Sequence, residues 1–222
     1  MITFQRMPER IRFSAQDTDS LSQAVEKAVT VLEQGGVMLY PTDTIYGLGA
    51  DATNRGAIET INQIKDRDES KAQLILASDV AMAEMYGSFH HIAKKLAATF
   101  WPGPLTILVP KTEVLPDVLT AGSLLVGIRV PDHAFCVEVT RKFGRPITST
   151  SANISGRQPA ATVDEILKTF GDNARDIDLV IEEADRVITD PTPSTLVKIE
   201  GDRVAILREG AVPRQAIEAL QK

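Results

Sequence analysis

Cations and hydroxyls, the side chains that bind anions, are concentrated at a few places in this sequence. One is the run from Lys65 to Lys71, which follows a predicted helix and precedes a predicted strand. Arginine can bind phosphate or carboxylate through two parallel hydrogen bonds, and lysine acts as a point charge, so Lys65, Arg67 and Lys71 could hold such an anion. Three acidic residues lie among these cations. A solvated turn of paired charges therefore remains an alternative interpretation.

A second candidate is the hydroxyl-rich stretch from Thr148 to Gly156, which follows a short apolar run. Ligands of α/β sheets bind beyond the carboxyl ends of strands. Ser149, Ser151 and Asn153 could there bond a phosphate or the polar end of a small substrate. The same residue types also build turns by bonding their own backbone, so both interpretations stay open.

Two weaker features could contribute to the same site. In the segment Pro41–Ala50, Thr42 and Thr44 supply hydroxyls after a predicted strand, but the third glycine of a dinucleotide-binding loop is missing. A tight structural loop would also explain this segment. Arg129 and Arg208 end two apolar strands, and a buried arginine requires either an acid or a bound anion as its partner.

The elements that must position these residues alternate along the chain. Apolar residues at helical spacing over Leu21–Leu32 predict a first helix, with Asp19 or Ser20 as its cap. Short apolar runs such as Val37–Tyr40 predict buried strands, and Gly201-Asp202 predicts a hairpin near the end. The pattern predicts a single α/β domain with a twisted, mixed β-sheet flanked by helices.

Composition limits the classes of protein that are compatible with this sequence. The 222 residues are 43% hydrophobic and carry a net charge of −6, which argues against general coating of nucleic acid. Cys136 is the single cysteine, so an intrachain disulfide is excluded. His90, His91 and His133 lack zinc-ligand spacing, and we predict no protein metal site. Residues 1–12 do not form a signal peptide and no apolar run is long enough to span a membrane, so we expect a cytoplasmic protein without membrane partners.

Six segments together resemble the YrdC-like family of threonylcarbamoyl-AMP synthases, and they occur in the family's order. The segments are Pro41–Leu48, Lys65–Arg67, Trp101–Thr106, Arg129–His133, Ser151–Gly156 and Leu207–Gly210. The resemblance implies a YrdC/RibB-like α/β domain with a deep concave site. We expect this domain at residues 19–212, after an N-terminal extension at 1–18 and before a C-terminal helix at 213–222 that packs on it.

The resemblance also implies a reaction: an ATP-dependent nucleotidyltransferase joins L-threonine, bicarbonate and ATP, assisted by Mg²⁺, to give threonylcarbamoyl-AMP and pyrophosphate. Downstream transferase proteins then pass the threonylcarbamoyl group to adenosine 37 of tRNA. Residues of the family's motifs match a catalytic set of Lys65, Arg67, Ser151 and Asn153, a nucleotide-binding set of Arg67, Lys71, Ser151 and Arg208, and a threonine-binding set of Thr42, Thr44, Arg129 and Ser149.

Departures from the family pattern leave an alternative open. The run Asp68–Ala72 replaces a stretch in which many relatives carry proline, and Leu76 replaces a polar residue of some relatives. The chain could instead belong to the paralogous YciO branch, as an RNA-binding module with little synthase activity. An RNA binder would need basic residues across an open face, here Arg141, Lys142, Arg145 and Arg157, whereas a synthase needs its cations around one closed pocket. A carbamoyl-transfer accessory domain is a third interpretation.

Overall fold

The computed structural model describes residues 8–66, 71–186, 192–201 and 203–220. Ten strands in these ranges form one sheet. They are β1 (Glu9–Phe13), β2 (Met38–Tyr40), β3 (Gly47–Gly49), β4 (Leu74–Leu76), β5 (Leu105–Pro110), β6 (Leu125–Arg129), β7 (Ile147–Ser151), β8 (Leu179–Glu183), β9 (Thr195–Glu200) and β10 (Arg203–Arg208). Their order across the sheet is β1-β8-β2-β3-β7-β4-β6-β5-β9-β10.

The sheet is mixed, as the sequence predicts. Strands β1 and β2 both run parallel to β8, β4 runs parallel to β6, and β5 runs parallel to β9. The remaining pairs are antiparallel, including the C-terminal hairpin of β9 and β10 in which Glu200 faces Arg203. The predicted hairpin is therefore confirmed.

Helices cover both faces of this sheet. They are α1 (Thr18–Glu33), α2 (Arg55–Ile64), α3 (Val80–Tyr86), α4 (His91–Phe100), α5 (Asp117–Thr120), α6 (Ala134–Phe143), α7 (Val163–Phe170) and α8 (Arg214–Ala219), with a 3₁₀ helix at Gly171–Asp176. Within the described ranges, none of them combines the length and apolar character that a bilayer crossing requires.

Alternate residues of β2 show how the core is layered. Met38 and Tyr40 pack among residues of α1 and α6 on one face, while Leu39 packs among residues of α2 and α7 on the other. A third apolar cluster joins β5 and β6 to α3, α4 and α8. Because side chains alternate across a strand, a sheet covered on both faces needs apolar residues at every position, and this explains the continuous apolar runs of the sequence.

Two local predictions, on the segment Pro41–Ala50 and on the cap of α1, are corrected by the structure. The segment Pro41–Ala50 is not only a loop, because Gly47–Gly49 forms β3 between β2 and β7. A Cβ at Gly49 would lie 2.5 Å from Tyr40 Cε1, so this close pairing requires glycine. Asp17, rather than Asp19 or Ser20, caps α1, and its carboxylate accepts a hydrogen bond from the Asp19 N–H. The expected extension at residues 1–18 contributes β1 to the sheet.

Candidate active site

A cavity of about 380 Å³ is formed by residues of the sheet and of the loops that follow its strands. Residues of seven consecutive strands in the sheet order line it, from β3 across to β10. The lining includes seven of the residues predicted from sequence, namely Thr42, Thr44, Arg129, Ser149, Ser151, Asn153 and Arg208. Lys65 and Lys71 are not in the lining, and Arg67 lies outside the described residues. Distant segments of the chain therefore converge on one cavity.

Two buried threonines after β2 form a fixed hydroxyl pair at the base of the cavity. Thr42 Oγ1 accepts hydrogen bonds from the backbone N–H groups of Thr44 at 3.1 Å and Ile45 at 3.2 Å. The Thr42 and Thr44 hydroxyl oxygens lie 3.0 Å apart, and Arg129 Nη1 donates to Thr44 Oγ1 at 3.3 Å. The local backbone therefore orients these hydroxyls before any ligand binds.

Arg129 at the end of β6 is buried, with only 4% of its surface exposed. Its Nη1 lies 2.9 Å from Asp43 Oδ1. The other carboxylate oxygen of Asp43 accepts a hydrogen bond from the Asp132 N–H at 3.3 Å. The partner that a buried arginine requires is thus an internal acid, and Asp43, which stands between the two predicted threonines, was missed as part of the site.

Lys65 is a buried cation that holds backbone rather than facing the cavity. Only 2% of its surface is exposed. Its ammonium donates to the carbonyl oxygens of Ser151 and Asn153, the latter at 2.7 Å. The Lys65 carbonyl in turn accepts from the Ser155 N–H at 3.2 Å, and Lys71 Nζ donates to Ser155 Oγ at 3.1 Å. Both predicted lysines therefore anchor the loop that follows β7.

Asn153 in this loop has a side chain of fixed orientation. Its amide nitrogen donates to the carbonyl oxygens of Ile154 at 3.0 Å and Arg157 at 2.5 Å. Because both acceptors are carbonyls, the NH₂ group must point to them. The amide oxygen is buried and has no hydrogen-bond partner among the described residues.

Arg208 at the end of β10 stands on the opposite side. Its guanidinium donates to the Ser194 carbonyl from Nε at 3.1 Å and from Nη2 at 2.8 Å. Arg208 forms no ion pair with the described residues. Although the residue keeps an exposed surface, burial of the guanidinium and the charge of Arg129 lower the pKa of Arg208 from its ordinary value. A guanidinium whose charged form is disfavoured in this way creates a site that an anion would stabilise.

Three of the four basic residues that an RNA-binding face would use are paired with acids. Arg141 contacts Glu138, Lys142 Nζ lies 2.9 Å from Glu26, and Arg145 Nη2 lies 3.3 Å from Asp51. The fourth, Arg157, lines the cavity. These four residues therefore do not form an open, unpaired basic face.

Comparison with known proteins agrees with this geometry. The family model Sua5_yciO_yrdC, described as "Telomere recombination", matches residues 30–210. The threonylcarbamoyl-AMP synthase of Thiobacillus denitrificans is 33% identical over 78% of this chain and 89% of its own length. That of Bacillus subtilis is 34% identical over 91% of this chain, but this match covers only 59% of the Bacillus protein.

A solved structure extends the comparison to the fold. The crystal structure of Pyrococcus abyssi Sua5 complexed with L-threonine superposes with a TM-score of 0.85 at 28% identity, over 96% of this chain and 60% of the other. The described chain thus spans about 60% of the length of the Bacillus and Pyrococcus proteins. The residues matched by the family model cover most of the sequence, and the chain belongs to the Sua5/YciO/YrdC family.

Proposed function

We propose that this chain is a threonylcarbamoyl-AMP synthase, an enzyme that joins L-threonine, bicarbonate and ATP. The observation that carries the proposal is a single cavity with two different ends. Its deep end holds hydroxyls beside the neutralised pair of Arg129 and Asp43, and its opposite side presents Arg208, which has no acidic partner among the described residues. The names of the relatives and the threonine complex of Pyrococcus abyssi Sua5 support the same reaction.

In the proposed complex, L-threonine occupies the deep end. Arg129 would bind its carboxylate, since Asp43 fixes the guanidinium without occupying all of its donors. Thr42, Thr44 and Ser149 would bond the remaining polar groups of the amino acid. Their fixed orientation reduces the entropy that is lost when the reacting atoms are brought together.

The proposed chemistry uses positioning and fixed charge, without a protein nucleophile. The neutral amine of threonine attacks bicarbonate, and loss of water gives the carbamate. A carbamate oxygen then attacks the α-phosphorus of ATP, and pyrophosphate leaves. Arg208, together with Arg67 and Lys71, would stabilise the phosphate charge, while Lys65 would act through the end of β7 and the loop after it, which carry Ser151 and Asn153.

Mg²⁺ fits this proposal as a partner of ATP and not as a resident cofactor of the protein. No group of three or more acidic, histidine or cysteine side chains that could hold a metal occurs in the described residues. The described lining of the cavity contains no carboxylate. Since Mg²⁺ is often bound largely by substrate phosphates and water, it would enter with the nucleotide. The product would then pass to downstream proteins that modify adenosine 37 of tRNA.

The proposal is tested by incubating the purified chain with ATP, Mg²⁺ and bicarbonate, with and without L-threonine. We expect pyrophosphate release that depends on threonine and on bicarbonate, with threonylcarbamoyl-AMP detected by mass spectrometry. L-Serine and L-valine serve as controls, because each lacks one feature of the threonine side chain. Tight binding of RNA without turnover would favour the YciO-like alternative.

A further inference from the structure

The loop after β7 contains a tight turn, and its last residue, Arg157, lines the cavity. The Arg157 N–H donates to the Ile154 carbonyl at 3.0 Å, which closes a four-residue turn. Its third residue, Gly156, has a φ of +86°. A turn of this kind is type II, and it requires a residue that tolerates positive φ at that position. The turn fixes where Arg157 stands.

Two side chains fix this turn by hydrogen bonds to backbone carbonyls. The Asn153 amide nitrogen bridges the first and last carbonyls of the turn, those of Ile154 and Arg157. The ammonium of Lys65 binds the Ser151 and Asn153 carbonyls immediately before it. These groups make no use of the Arg157 guanidinium itself. They bind the backbone that carries it, so the position of Arg157 is set in advance of ligand binding.

Arg157 is also prominent in the charge distribution of the cavity. The described lining contains three cations, Arg129, Arg157 and Arg208. Asp43 neutralises Arg129 at 2.9 Å. Arg157 forms no ion pair with any described residue, and it is exposed, so it lies at the mouth of the cavity, whereas Arg129 is buried. A polyanion entering the cavity therefore meets Arg157 and Arg208 as its uncompensated charges.

We propose that Arg157 binds the β- and γ-phosphates of ATP, the part that leaves as pyrophosphate. This inference rests on the proposed synthase reaction. Pyrophosphate must leave through the mouth, so the phosphates nearest the mouth are those that depart. A planar guanidinium suits such a group, because it can make two parallel hydrogen bonds to phosphate oxygens. Arg157 thus stabilises charge on the leaving group.

The test compares Arg157→Gln with a matched control, Arg175→Gln, which removes an exposed arginine that does not line the cavity. Binding of inorganic pyrophosphate and of AMP to the full chain is measured by calorimetry, alongside the KM values for ATP and L-threonine. In Arg157→Gln we expect pyrophosphate affinity to fall about tenfold or more, since a charge-assisted hydrogen bond is lost, with a similar rise in the ATP KM. Arg157→Lys should lie between wild type and glutamine.

The affinity for AMP and the threonine KM should stay within about twofold of wild type, because neither ligand contains the phosphates that Arg157 binds. Unchanged pyrophosphate binding in Arg157→Gln, no pyrophosphate binding by wild type, or an equal loss of AMP affinity would overturn the assignment. Threonylcarbamoyl-AMP formation by wild type reports on the proposed function separately. If wild type makes no product but binds pyrophosphate through Arg157, the reaction is wrong and the assignment stands.

Discussion

Removing the buried charge of Lys65 is the most direct perturbation of the site. Lys65→Met keeps the aliphatic stem packed and deletes the ammonium that binds the Ser151 and Asn153 carbonyls. We expect the variant to fold, to be measurably less stable, and to lose at least tenfold in kcat/KM. The loss of activity follows because the end of β7 carries Ser151 and the loop after it carries Asn153 and Arg157, all of which line the cavity.

The magnitude follows from the bonds that are lost. Each buried carbonyl left without its donor costs about 1–3 kcal/mol. Deleting the charge also removes the cost of burying it, so a net destabilisation of about 2 kcal/mol is expected. For a chain of this size this corresponds to a fall in Tm of about 4–8 °C. The value is well below a typical total stability of about 5–15 kcal/mol, so the native state should persist.

Thermal unfolding and the threonine-dependent pyrophosphate assay measure the two effects. Lys94→Met is the matched control, because Lys94 is exposed and pairs with Glu84 at the surface, where such a pair contributes about 0–1 kcal/mol. A Lys65→Met variant with wild-type Tm and wild-type turnover would refute the anchoring role. Wild-type Tm with lost turnover would also refute it, since Lys65 would then act on substrate directly.

Three further predictions concern the ion pair, the turn and the pH dependence. Arg129→Met leaves the Asp43 carboxylate buried without its partner, so the free energy of unfolding measured in urea should fall by about 3–5 kcal/mol. Adding Asp43→Asn should recover part of that stability but no activity. Equal stabilities of the single and double variants would contradict this prediction. The Cβ of Gly156→Ala would meet no atom within 4 Å, but the alanine must adopt a φ of +86°. We therefore expect about 1–2 kcal/mol of backbone strain and a raised KM for ATP, with a smaller effect for Gly156→Asn. Kinetics equal to wild type would argue against a role of this turn in ATP binding. The hydrogen bond from His133 lowers the pKa of Glu183 below its ordinary value of 4.5, so its stabilisation is present above that value and is lost as the pH falls through the folded pKa. The difference in unfolding free energy between wild type and Glu183→Gln should therefore be fully present above pH 4.5 and shrink as the pH falls below that value, and a difference independent of pH would exclude this linkage.

Much of the fold could be predicted because its central strands are buried on both faces. Runs such as Val37–Tyr40 are continuously apolar, and this pattern indicates a buried strand without knowledge of the strands that pair with it. Strand β3 could not be found in this way, because glycines at both its ends carry no strand preference of their own. Its conformation comes from pairing with β2 and β7, which lie far apart in sequence. Strand β1 is charged and mostly exposed, and only its pairing with β8 reveals it.

In the candidate site, too, some features could be predicted from local sequence and others depend on tertiary contacts. Residue type and position at or near the end of a strand indicate Thr42, Thr44, Ser149 and Arg129, which the structure brings to one cavity, since polar groups at strand ends tend to face a ligand site. The sequence does not indicate which group each charged side chain pairs with. The Asp43–Arg129 contact joins residues 86 positions apart, and Lys65 binds backbone carbonyls, which every residue carries. Such partners depend on the tertiary path of the chain.

Under the proposed function, the placement of charge in the cavity would allow one site to distinguish two very different substrates. An unpaired arginine at the deep end would attract phosphate as strongly as it attracts the carboxylate of an amino acid. The Asp43 carboxylate offsets that charge at a distance of 2.9 Å, so the deep end would favour a ligand of small net charge that hydrogen-bonds to the oriented hydroxyls. Arg157 and Arg208 keep their fields, because no described acid neutralises either. In the proposed complex, a triphosphate would therefore be held toward Arg157 at the mouth, and threonine would keep access to the hydroxyl pair.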